Sequence, residues 1–148
     1  MRAWYHGAVL HGLPENYPHF CLLDEFDANE TAEEKLAWLM ERKTPSSTLP
    51  DSEMTPEKRI PGCQSGLWLN ASVQGGVTSY LARSDSAMVQ GVVCFLCDLC
   101  SGVAPGEVSG IARSIEGGLG LEGLLTTTRK RAVTTALARI TDFANQAQ

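Results

Sequence analysis

The chain has 148 residues, 43% of them hydrophobic, which suffices for one domain around one core, and its 12 basic against 17 acidic side chains leave a net charge of −5. That acidic balance argues against a protein that grips nucleic-acid phosphates and makes another protein the expected partner. The longest apolar run, Val92 to Cys97, falls far short of the roughly 20 residues of a membrane-spanning helix, and five cysteines cannot all pair within one chain, so a reducing, cytoplasmic setting is expected.

Residues 1–28 hold His6, His11 and His19, two prolines and an acidic cluster at Asp24, Glu25 and Asp27, with neither a helical nor a strand period. They read as a partly ordered N-terminal extension ahead of a domain over residues 29–148, with no basic-then-apolar pattern of a secretory signal. The three histidines match no ligand spacing and are expected to be exposed loop residues.

Thr31-Ala-Glu-Glu34 is a capping box, in which a hydroxyl and a carboxylate satisfy free amides at a helix start. Ala32, Leu36, Leu39 and Met40 then share one face, predicting a helix to about Glu41 or Arg42. Residues 44–58, rich in proline, serine and threonine, predict a loop that delivers the chain to Arg59-Ile-Pro-Gly-Cys63. Leu67, Leu69, Ala71 and Val73 alternate with Trp68, Asn70 and Ser72, the period of a strand with one buried face. Gly75-Gly76 is a tight-turn signal, and Val77 to Ala82 returns as the second strand of a hairpin.

Ser84-Asp-Ser86 offers caps for a helix over Ala87–Cys100 that is apolar nearly all round, as a helix in the middle of a core would be. Gly102 and Pro105 end it. The glycine-rich stretch 102–123 predicts one or two short helical turns, near Pro105–Val108 and Ile111–Glu116. Thr126–Thr128 cap a last helix with an apolar stripe of Val133, Leu137, Ile140 and Ala144. These elements make an α+β domain with four or so helices.

Two cysteine patterns compete for a function. Cys94, Cys97 and Cys100 form a C-x-x-C-x-x-C run, a ligand pattern for an iron-sulfur cluster or zinc if it lay in a loop. On a regular helix those positions drift by about 120° and climb about 9 Å, which favours core packing over a small iron-sulfur or zinc-binding protein. Cys63 stands instead before a strand, flanked by Pro61, Gly62, Ser65 and Gly66, small residues that let another backbone approach. No adjacent histidine supplies a base, so the local pattern offers a reachable thiol and no self-sufficient catalyst.

Arg59-Ile-Pro-Gly-Cys-Gln-Ser-Gly-Leu-Trp-Leu69, Ser84-Asp-Ser-Ala-Met-Val-Gln-Gly91 and Leu125-Thr-Thr-Thr-Arg129 together resemble the SufE/CsdE family over roughly residues 31–145. The resemblance implies a small fold with about three antiparallel strands packed by helices. It implies that Cys63 accepts a persulfide sulfur from a cysteine desulfurase (SufS/CsdA-like) and passes it to a cluster scaffold for iron-sulfur assembly. Arg59, Gly62, Gln64, Ser65, Asp85 and Arg129 would face the partner. No cofactor is expected on this chain, the PLP belonging to the desulfurase, and no independent turnover. Gln90 stands where the family often has lysine, and Lys130-Arg131-Ala132 where it commonly has asparagine-glycine, departures that bear on partner choice. A family member that only docks as a regulator is the remaining alternative.

Overall fold

In chain order the elements are α1 (Phe20–Asp27), α2 (Ala32–Glu41), 3-10 turns at Asp51–Glu53 and Pro56–Lys58, β1 (Leu67–Gln74), β2 (Val77–Ser84), α3 (Ala87–Cys100), α4 (Pro105–Glu116) and α5 (Thr127–Ala147). They come from a computed structural model that describes residues 13–14, 16–42, 47–63, 65–116, 119–121 and 123–148. Among these no helix is long and apolar enough to cross a membrane.

Every residue of α3 from Val92 to Cys100 is buried, because its apolar surface has no wet side to offer. Helices α2 and α5 and strand β2 all pack on it. Phe95 stacks on Phe26 of α1 at 4.9 Å and meets Trp38 of α2 edge-on at 5.8 Å, so three elements converge on one aromatic cluster. From the sheet side, buried Tyr80 donates its hydroxyl to the Ile140 carbonyl of α5 at 2.9 Å.

The expected hairpin forms, its register placing Leu67 opposite Ser84 and Gln74 opposite Val77, with Gly75 and Gly76 at φ +61° and +82° in the turn. Among the described residues two strands form the sheet where about three were expected. Single bridges stand at its two outer edges, Thr48 beside Ala82 and Arg59 beside Trp68. Prolines explain why these go no further: Pro50 and Pro61 follow closely and lack an N–H, and Pro56 opens a 3-10 turn before Arg59.

The capping box forms as expected, with the Glu34 amide donating to Thr31 Oγ1 at 3.1 Å and the Thr31 amide to Glu34 Oε1 at 3.0 Å. Other expectations change. The packed core reaches further towards the N-terminus than residue 29: Tyr17, Phe20, Leu23 and Phe26 are buried in the same cluster as α3, and Tyr17 donates to the Leu99 carbonyl. The interleaved acids of α1 point outward and hide this spacing of three. His19 is half-buried and bonded to the Ser101 carbonyl at 2.7 Å rather than free in a loop; His6 and His11 lie outside the described residues, as do 43–46 of the predicted loop.

Residues 105–116 form one continuous helix rather than separate turns. Val108, Ile111, Ala112 and Ile115 are buried at helical spacing, and that burial outweighs the glycines at 106 and 110. On α5 the buried line is Ala132, Ala136, Ile140 and Ala144, with Val133 and Leu137 half-buried beside it. Alanines bring the helix axis closer to its neighbours than the predicted stripe would.

Candidate functional site

Cys63 lies in a six-residue loop, 61–66, closed at its base. The Ile60 amide donates to the Leu67 carbonyl at 2.7 Å, and Arg59 bridges Trp68 immediately outside. Ile60 and Leu67 are buried, so the loop springs from core residues. Pro61 and Gly62 turn the chain, Gly62 at φ +84° with open space where a Cβ would stand. Cys63 itself is half-buried and packs against the edge of the core.

The loop's far end is tied to the segment between β2 and α3. The Gly66 amide donates to Asp85 Oδ2 at 3.2 Å, while the Gly66 carbonyl accepts from the Asp85 amide at 3.0 Å and from Ser84 Oγ at 2.9 Å. Ser84 is held in turn, its amide donating to Gln90 Oε1 at 3.0 Å and its Oγ accepting from the Ser86 amide at 3.1 Å. The α3 cap is Ser86, whose Oγ accepts from the Val89 amide at 3.3 Å. Asp85 is therefore free of capping and serves the cysteine loop.

Of the residues predicted for the site, Arg59, Gly62, Cys63, Ser65 and Asp85 gather around this loop, and Gln64 lies outside the described residues. Arg59 is exposed, its guanidinium 5.7 Å from the centre of the Trp68 ring. Arg129, in the first turn of α5, reaches the start of α3, where its Nη1 donates to Met88 Sδ at 3.5 Å. Through Met88 it stands at the first turn of α3, the helix that follows Asp85. Sequence reasoning missed the anchoring roles of Gly66, Ser84 and Gln90. Gly66 carried a signal, a glycine directly before a strand with no turn to make.

The other cysteines differ in kind. Cys94, Cys97 and Cys100 are fully buried on regular α3, and burial pushes all three thiols upward, Cys100 to about 12. Thiols held neutral in a packed helix are poor nucleophiles and poor ligands. Cys21 is exposed on α1, among acidic neighbours Asp24 and Glu25. Cys63 alone of the five sits in a loop with glycine freedom beside it.

Comparison with known proteins matches the family model "SufE: Fe-S metabolism associated domain" to residues 21–144. A chloroplastic quinolinate synthase of Nicotiana tabacum is 30% identical over 105 residues, which is 70% of this chain but 14% of that protein, so the chain spans about one seventh of that relative. An uncharacterized SufE-like protein of Rhizobium meliloti is 25% identical over 124 residues, 80% of this chain and 89% of the relative. A hypothetical protein from Thermus thermophilus, solved in solution, superposes with a TM-score of 0.65 at 22% identity, covering 86% of this chain and 93% of that one, a likeness of fold.

Proposed function

The chain belongs to the SufE family of Fe-S metabolism associated domains, and we propose that within it Cys63 is the sulfur acceptor for a cysteine desulfurase. The Cys63 thiolate attacks the outer sulfur of the desulfurase persulfide; the sulfur–sulfur bond there breaks, the desulfurase cysteine leaves as a thiolate, and Cys63 becomes a persulfide. No oxidant is consumed, since the outer sulfur only changes carriers. An acceptor thiol on a cluster scaffold then takes it from Cys63 by the same exchange. PLP chemistry belongs to the desulfurase, and clearing its persulfide speeds its next turnover, which is how a chain without turnover of its own enhances a rate.

The observation that carries this reading is the mounting of Cys63. It is a cysteine in a short loop, clamped at Ile60–Leu67 and at Gly66–Asp85, with open space at Gly62. A rigid frame around a small, movable tip suits delivery of a sulfur into another protein's cleft. Arg59, Gly62, Ser65 and Asp85 around the loop, with Arg129 beside α3, form the face offered to the desulfurase, and the sequence position Gln64 next to Cys63 is assigned to the same partner.

Incubation with a PLP-dependent cysteine desulfurase and cysteine should add one sulfur atom by intact mass, located by peptide mapping at Cys63. Cys63→Ser should lose both the added sulfur and the stimulation of desulfurase turnover. Sulfur arriving on Cys21 instead would sink the assignment, and full stimulation by Cys63→Ser would make the protein a docking regulator.

A further inference from the structure

The outer face of the hairpin carries a row of side chains that the proposed sulfur transfer does not by itself require. Trp68 stands opposite Arg83 in the β1–β2 register and opposite Arg59 in the isolated bridge, so an indole lies between two arginines across three adjacent backbone segments. Arg83 is occupied elsewhere, donating to the Leu49 carbonyl at 3.3 Å and to Asp51. Arg59 has its guanidinium over the ring. The benzo edge of the same indole occupies the place of a side chain at Gly66: a Cβ built there would fall 2.6 Å from Cζ3 and 2.5 Å from Asp85 Oδ2, closer than real Cβ atoms come.

From this stack we infer that Trp68 is a positioning residue for the cysteine loop, with Gly66 and Arg59 setting how firmly it holds. The indole lies against the one loop residue whose backbone carries three hydrogen bonds to Ser84 and Asp85, and Arg59 holds the ring in that place. Gly62 leaves the other end of the loop free. The resting depth of the Cys63 sulfur thus depends on Trp68 staying over Gly66. The inference rests on the proposed acceptor role for its purpose, though not for its test.

The test is the alkylation rate of Cys63 by iodoacetamide in the full chain with Cys21→Ser, which removes the other exposed thiol. Arg59→Gln, a change at an exposed side chain, should raise the rate about two- to five-fold, the range a surface cation–π contact supports. Arg59→Lys should restore most of the parent rate, and Gly66→Ala should raise it more than Arg59→Gln does. Trp68→Leu should make Arg59→Gln silent, because the two act through one ring. Unchanged melting curves with a changed Cys63 rate separate positioning from general loosening. An unaltered rate in Arg59→Gln overturns the inference, as does a full Arg59→Gln effect in the Trp68→Leu background; if Gly66→Ala or Trp68→Leu fails to fold, the Arg59 pair decides alone. Absence of sulfur on Cys63 in the parent protein would strike the acceptor role and leave these rates meaningful.

Discussion

Raising the pH should unfold this protein through the same burial that removes three of its cysteines from chemistry. Cys100 ionises at about 12 in the folded chain against an ordinary value of 9.0, because burial disfavours the thiolate. Its contribution is fully present below pH 9 and is lost as pH climbs from 9 towards 12, since the unfolded chain gives up the proton first. At pH 11 the loss from Cys100 is about 3 kcal/mol, with each pH unit between the two values worth about 1.4. Cys94 is shifted in the same direction by burial, and Cys97 and the Tyr80 hydroxyl by burial first and neighbouring thiols second. Against a total stability of about 5–15 kcal/mol, that is a large share. Urea titrations by circular dichroism at steps from pH 8 to 11 should show the midpoint falling steeply above pH 9. In Cys100→Ala the midpoint should start lower, from the lost packing, and fall less steeply. Parallel curves for the two proteins would refute the account of the buried thiols.

Native protein at pH 8 should react with a maleimide at Cys21 and Cys63 alone, and at all five cysteines in strong denaturant; native labelling at Cys94, Cys97 or Cys100 would mean that α3 opens far more readily than its burial implies. Arg42 and Asp98 form an ion pair at 16% and 10% side-chain exposure, with the guanidinium also lying over Trp38 and Phe95. Asp98→Ala should cost about 3 kcal/mol, near the low end for a broken buried pair because some water reaches both groups, and a urea midpoint equal to the parent's would contradict that.

The local elements were legible wherever a periodic pattern coincided with its own start and stop signals. The capping box at Thr31, the hairpin around Gly75-Gly76 and the helix after Ser86 all formed as their residues predict. Helix α1 was hidden because Asp24, Glu25 and Asp27 break up the apolar signal of Phe20, Leu23 and Phe26, which only a neighbouring aromatic such as Phe95 can reward. Helix α4 was divided on paper by glycine propensity and joined in space by burial of Val108 to Ile115.

The same division runs through the site. Cys63 and its small neighbours identify a reachable thiol from sequence alone, because reach depends on local residue size and backbone freedom. Helical spacing equally removes Cys94, Cys97 and Cys100 as a convergent set, since the geometry of a helix is fixed by its backbone. How Cys63 is held is a different kind of fact. The ties from Gly66 to Ser84 and Asp85 and the approach of Arg129 to Met88 join residues 18 to 41 positions apart. Such contacts exist only once the hairpin and three helices have packed, and no local pattern of residue types encodes which of them will meet.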